Sequence, residues 1–165
     1  MTKSQTAPFP STLDGETQAR DETAERTLAT LIKLNNDSVG AYQMAADLLH
    51  DEEQVALCRE FAAQHNRFSN ELAQLQSKRG GFVPEIETMA GLVQEAWMNM
   101  HTWVSGDKEA ILTECDRADE LAIDYYREAL NRSLPEEVKD LVQKQRKQLE
   151  AEHGRIHQVA AQAQS

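Results

Sequence analysis

The 165-residue chain is long enough for one domain with its own hydrophobic core, without help from disulfides or a structural metal. Its 28 acidic side chains outnumber the 17 basic ones, and the net charge of −11 would repel a phosphate backbone, which argues against a nucleic-acid partner. No apolar run reaches the roughly 18 residues of a membrane span, and the N-terminus lacks the apolar core of a signal peptide. We therefore expect a cytoplasmic protein with no membrane partner. Few Gly, Pro and aromatic residues beside abundant Ala, Leu, Glu and Gln predict helices and almost no strand.

Residues 1–25 are polar and contain hardly an apolar side chain beyond Phe9 and Leu13. Such a segment buries too little apolar surface to offset the entropy of ordering. We predict a disordered polar arm over residues 1–25 and a helical bundle over residues 26–162.

The first two predicted helices form a tight antiparallel hairpin. Apolar residues at spacings of three and four predict helices over residues 26–50 and 52–79. Asp51 is placed to cap the second helix, Gln54 is placed to reach back as in a capping box, and Gly80 with Gly81 ends it.

A separate unit follows, with a predicted helix over residues 85–105. Its apolar positions also recur at helical spacing: Met89, Leu92, Val93, Trp97, Met100 and Val104. This segment is long enough for a crossover between two hairpins. Together with Trp103 and Met98, it carries more apolar surface than one face can hide, which favours either a cap on the bundle core or a homodimer surface.

The second hairpin is predicted from helices over residues 107–132 and 135–162. Asp107 is placed to cap the first of these helices, and Ser133 with Pro135 is expected to open the second. Gly154 lies inside the last helix, where it weakens the helix by about 1 kcal/mol relative to Ala. We interpret Gly154 as a position where a neighbouring helix crosses closely.

Cys58 and Cys115 have no CxxC spacing and fall on helical patterns. In a reducing compartment they are best interpreted as two small buried side chains, neither a disulfide nor a zinc site.

Two antiparallel hairpins joined by a long connector make an all-α, ferritin-like four-helix bundle with an additional helical crossover connector. A set of residues spread along these helices carries a family resemblance: Leu34–Asp37, Gly40–Tyr42, Phe68, Glu71, Leu72, Gly80, Gly81, Trp97, Ala110–Leu112, Glu114, Cys115, Tyr126, Ala129, Leu130, His153 and Ile156. On these residues the chain, from about Thr27 to Val159, resembles an uncharacterised bacterial family of ferritin-like bundle proteins, a domain of unknown function. The resemblance implies a fold and only vaguely a stress response, with no established reaction.

The chain is also distantly similar to rubrerythrin-like bundles, which contribute Glu, Glu-x-x-His, Glu and Glu-x-x-His to a di-iron site. The first Glu of that pattern precedes a Tyr by seven residues, a place held here by Asn35 before Tyr42. On the second helix the inward frame is Gln64-x-x-Arg67, which would put a cation in the place of a ligand. Three candidate metal ligands remain, all on the second hairpin: Asp119, Glu150 and His153.

Three interpretations of these residues stay open. The favoured one is a hydrogen-bonded polar layer of Asn35, Gln64, Asp119 and His153 that fixes helix register. A single Fe, Mn or Zn ion on Asp119, Glu150 and His153 is the second, and a di-iron centre is the least favoured, so no cofactor is expected. Glu150 lies beside the apolar stripe of Leu149, where pairing with Arg146 or Lys147 is the alternative to metal binding. His65, His101 and His157 are expected at the surface or the rim.

These observations lead to a functional expectation without a reaction. We expect a non-enzymatic bundle that acts by self-association as a homodimer or with another protein. The alternative is a metal-binding storage or redox protein.

Overall fold

The computed structural model of the chain describes residues 12–80 and 108–163. This part consists of four helices and contains no strand: α1 (Thr12–Leu48), α2 (Glu52–Lys78), α3 (Lys108–Leu130) and α4 (Glu136–Ala163). The prediction of an all-α four-helix bundle is confirmed. The connector helix predicted over residues 85–105 lies outside the described residues.

Helix α1 begins much earlier than predicted. Residues 12–25 are helical, so the prediction of a disordered arm is wrong for this stretch. Ala24 is fully buried because it lies one turn before Leu28 on the same face of the helix. Arg79 at the end of α2 pairs with Asp21, with an Nη2 to Oδ1 distance of 2.5 Å, and thereby ties this early turn to the bundle.

The ends of α2 follow the predicted chemistry with one exception. The Asp51 carboxylate accepts a hydrogen bond of 3.0 Å from the Gln54 backbone N–H, and Gly80 leaves the helix with φ of 73°. The Gln54 side-chain oxygen has no hydrogen-bond partner within the described residues, so the reciprocal half of the capping box does not form. Cap and glycine together fix the length of the helix.

All four neighbouring helix pairs run antiparallel. Helix α1 packs mainly on α2, and α3 on α4, with smaller contacts between α1 and α3 and between α2 and α4. The antiparallel register of α1 and α2 is marked by contacts from Asn35 to His65 and from Asp21 to Arg79. Helices α2 and α3 face each other across the diagonal and run parallel, so the end of α2 and the start of α3 lie at opposite ends of the bundle.

The core consists of two apolar clusters stacked along the bundle axis. The first surrounds Tyr42, Phe61 and Ile156, and the second surrounds Leu28, Phe68 and Val142. Polar residues that are almost fully buried lie between them. The bundle therefore has a polar layer near its middle.

Gly154 does not mark a helix crossing. A Cβ built on Gly154 would have no neighbouring atom within 4 Å, so the residue faces open space. The interpretation of a close approach is wrong, because this face of α4 points away from the other helices.

Candidate functional site: a buried polar layer

The polar layer joins all four helices through one chain of side-chain contacts. From the centre outward it consists of Asp119 on α3, His65 on α2, Asn35 on α1, Tyr126 on α3, Gln145 on α4 and Glu71 on α2. His65, Asn35, Tyr126 and Gln145 have no exposed surface. Helix periodicity places each of them on the inward face, where an unpaired polar atom would be costly.

The directions of the outer hydrogen bonds are fixed by two backbone carbonyls. Gln145 Nε2 lies 3.3 Å from the Phe68 oxygen, which only accepts, so the Gln145 Oε1 atom must accept the hydrogen bond from the Tyr126 hydroxyl. Asn35 Nδ2 likewise donates to the Leu31 oxygen at 2.7 Å and to the Tyr126 hydroxyl at 2.8 Å. Burial raises the pKa of Tyr126, so its hydroxyl keeps the proton that it donates.

These directions determine the protonation of His65. Asn35 Oδ1 is an acceptor, so the His65 Nδ1 atom, 2.8 Å away, carries a hydrogen. The other ring nitrogen, Nε2, lies 3.4 Å from Asp119 Oδ1. The inner end of the layer is therefore a buried contact between the His65 imidazole and the Asp119 carboxylate.

Aromatic rings enclose this pair. Tyr42 stacks on His65 at 5.8 Å between ring centroids, and Phe68 meets the same imidazole edge-on at 6.3 Å. Burial raises the pKa of Tyr42 well above its ordinary value, and the Asp119 charge raises it further. The Tyr42 hydroxyl is consequently held in its neutral form beside the carboxylate.

Cys58 and Cys115 lie next to Asp119 in the first apolar cluster. Both thiols are free and buried. A hydrogen bond with Cys58 and burial hold the pKa of Cys115 well above its ordinary value. Cys115 therefore stays a neutral thiol. The prediction that both cysteines are buried and free is confirmed.

The outer end of the layer reaches the surface at Glu71. Gln145 Nε2 donates to Glu71 Oε2 at 3.0 Å, and Lys144 lies 3.6 Å from the other carboxylate oxygen. The side chain of Glu71 is 40% exposed. The hydrogen-bonded chain of the layer thus ends at the surface, in the solvated ion pair of Glu71 and Lys144.

The three predicted metal ligands have separate partners. Asp119 faces His65 in the core, whereas Glu150 accepts hydrogen bonds from Arg127 at 3.0 Å and lies 3.6 Å from Arg146. The pairing of Glu150 with Arg146 is the arrangement expected from its place beside the apolar stripe. His153 faces a different carboxylate, Asp116, with 2.9 Å between Nε2 and Oδ1. Within the described ranges no three His, Cys, Asp or Glu side chains are arranged around one ion position.

The predicted polar layer exists, but two of its four members were wrong. Asn35 and Asp119 belong to it. Gln64 is buried without a hydrogen bond to its side-chain oxygen, and His153 lies nearer the surface.

The inward frame of α2 is also shifted by one residue from the prediction. Arg67 is exposed, and His65, expected at the rim, is at the centre. The stripe admits either residue, because Gln64 lies three and His65 four residues after Phe61, and both are buried. Gln145 was missed, although it lies between Val142 and Leu149 on the apolar stripe of α4.

The donor set of the layer differs from that of a di-iron carboxylate centre. Such a centre takes carboxylates from all four helices, whereas Asp119 is the only buried Asp or Glu among the described residues. Asn35, Tyr126 and Gln145 supply neutral groups whose atoms are already engaged with one another. Two iron ions would lie here without the anionic ligands that they require.

No helix within the described ranges is long and apolar enough to cross a membrane. Comparison with curated proteins finds no match to this sequence. Residues 23–132, two thirds of the chain, match a family model described as a domain of unknown function, DUF2383. The match covers α1 from Thr23 onward, α2 and α3, and it ends before α4. This chain belongs to the DUF2383 family.

Proposed function

We propose that this chain is a non-enzymatic, ferritin-like bundle of the bacterial cytoplasm that acts by association, with a second copy of itself as the partner. The observation that supports the proposal is the continuous chain of hydrogen bonds from His65 to Glu71, although the Tyr42 hydroxyl beside it has no partner within the described residues. Along the chain from His65 to Glu71, each buried donor faces an acceptor within the layer. An enzyme site would instead direct unpaired polar groups toward a substrate. The layer is better suited to fixing the register of the helices.

The parallel course of α2 and α3 supports the ferritin-like plan. The 27 residues of α2 span about 40 Å, and the chain must return over that length before α3 begins. A helix over the predicted residues 85–105 would cover about 32 Å of that distance, which is most of it.

The apolar face predicted in this crossover segment supports self-association. Buried apolar residues of the four described helices pack on one another in two clusters, and only Leu13, Leu48 and Leu121 are large exposed hydrophobics in the described ranges. A second copy of the same face would bury the apolar positions predicted in this segment, among them Trp97 and Met100.

Sedimentation equilibrium tests the proposal. We expect the wild-type protein to be a dimer, and the Trp97→Glu, Met100→Glu double variant to be a monomer with an unchanged helical circular dichroism spectrum. Leu121→Gln is the matched control, because it replaces an exposed apolar residue of α3, and it should stay dimeric. A wild-type monomer at high concentration, together with no bound protein in pull-downs, would refute the proposal.

A metal-binding storage or redox protein remains the second candidate, with Asp119, Glu150 and His153 as its ligand set. Of these three, His153 already faces a carboxylate on the neighbouring helix, but that carboxylate belongs to Asp116 and not to Asp119, so binding would require the ligands to leave their present partners. Elemental analysis of tag-free protein after loading with iron(II), manganese(II) or zinc(II) tests it. Bound metal would raise the melting temperature by mass action, and the Glu150→Ala, His153→Ala variant would lose both effects.

A further inference from the structure

Two histidines and one aspartate meet at the interface of α3 and α4, outside the polar layer. His153 Nε2 lies 2.9 Å from Asp116 Oδ1, and His157 Nδ1 lies 3.0 Å from Asp116 Oδ2. The two imidazoles are four residues apart on α4, so both project from one face of that helix. A single carboxylate is thus approached from both of its oxygens.

The inner contact of this cluster is not satisfied as a hydrogen bond. His153 Nε2 and Asp116 Oδ1 are both buried atoms without a hydrogen-bond partner, although they lie next to each other. Buried polar atoms in native proteins are nearly always paired. A metal cation bound by both atoms would give the unpaired nitrogen and the unpaired carboxylate oxygen a partner.

The distances and the donor types suit a zinc-like ion. Donor atoms bound about 2.1 Å from a tetrahedral zinc ion lie roughly 3.4 Å from each other. The nitrogens lie 2.9 Å and 3.0 Å from their carboxylate oxygens, so each would move by roughly half an ångström to bind the ion. Imidazole with carboxylate is a common ligand set for zinc and its neighbours in the first transition row.

Nearby positive charges do not occupy the carboxylate. Arg117 is held by Glu114 at 2.7 Å, and Arg155 forms two hydrogen bonds with Glu60. The net charge of −11 also favours the approach of a cation. Neither arginine therefore competes with an ion for the Asp116 carboxylate.

We propose that Asp116, His153 and His157 bind one divalent transition-metal ion of the zinc type, with water completing its coordination. The three side chains do not yet surround one point, so the site forms when the ion binds. The side chain of His157 is 64% exposed and is hydrogen-bonded to Asp116, so binding of an ion would replace that bond, whereas His153 and Asp116 lie between the helices with less than a fifth of their side chains exposed. The ion would join α3 to α4 on the surface side of the polar layer, and its binding does not depend on self-association.

Titration of tag-free protein with cobalt(II) tests the site. We expect one equivalent to produce visible absorption bands that zinc(II) abolishes, together with a higher melting temperature. Asp116→Asn and His157→Gln should each weaken cobalt binding more than about tenfold, since even outer-shell changes at metal sites have effects of that size. Both variants alter partly or largely exposed side chains, and circular dichroism checks that they remain folded.

Two control variants separate this site from the alternatives. His50→Gln removes an exposed histidine outside the cluster, and Glu150→Gln removes a carboxylate that belongs only to the ligand set with Asp119. Both should bind cobalt as the wild type does. No binding by the wild-type protein, wild-type binding by His157→Gln, or loss of binding in Glu150→Gln would overturn the proposal.

Discussion

Replacing Tyr126 by Phe removes one oxygen from the middle of the polar layer. The hydroxyl accepts from Asn35 Nδ2 and donates to Gln145 Oε1, each at 2.8 Å. Asn35 Nδ2 keeps its bond to the Leu31 oxygen, but Gln145 Oε1 is left as a buried acceptor with no donor. An orphaned buried acceptor costs about 1–3 kcal/mol, and the second lost bond adds about 1 kcal/mol. We expect Tyr126→Phe to lower the free energy of unfolding by about 2–4 kcal/mol.

Urea unfolding followed by circular dichroism measures this change. The control is Tyr125→Phe, which makes the same chemical change at a partly exposed neighbour and should stay within about 0.5 kcal/mol of the wild type. Adding Gln145→Leu to Tyr126→Phe removes the orphaned acceptor, so the double variant should be less destabilised than the two single changes added together. Equal, small effects of both Tyr→Phe changes would show that the layer is not a saturated network and refute the reasoning.

Three further predictions concern the surface of the bundle. Gly154→Ala should stabilise the protein by about 0.5–1 kcal/mol in thermal unfolding, since an added Cβ meets no atom; a destabilised variant would mean that the glycine is closely packed. Arg79→Gln should destabilise by about 1 kcal/mol and speed hydrogen exchange in residues 12–25, while exchange in α3 stays unchanged. The hydrogen bond from Arg155 lowers the pKa of Glu60 below its ordinary value of 4.5. Its contribution to stability is present at neutral pH and lost as pH falls through the lowered pKa, so Glu60→Gln should flatten the melting temperature against pH in that acidic range.

The inward positions of the polar layer could be predicted from helix periodicity, but the partners could not. Asn35 and Asp119 were identified by their place seven residues before Tyr42 and Tyr126. The spacing of apolar residues could not decide whether Gln64 or His65 joins the polar layer. The two neighbours differ by only about 100° around the helix, and both are buried. Rotation of α2 against α1 decides that His65, and not Gln64, meets Asn35.

The early start of α1 was not predicted because the average composition of residues 1–25 was used to judge the whole segment. Residues 1–25 are polar on average, yet Ala24 and Thr27 continue the buried face of Leu28 and Leu31 toward the N-terminus. A single alanine carries little hydrophobic signal. Its burial is decided by α4, whose Val138 belongs to the same cluster.

By itself the sequence determined the helical class, the two hairpins and the cap of α2. Each of these depends on local properties: side-chain spacing, backbone propensity, and a turn residue such as Gly80. Tertiary structure alone decided that Glu150 meets Arg127 while His153 turns to Asp116. Those two residues are three apart on one helix, but about 60° of rotation between them is enough to direct the two side chains to different partners on α3. Which side chains share a site therefore depends on the helix packing, to which residues distant in the chain contribute equally.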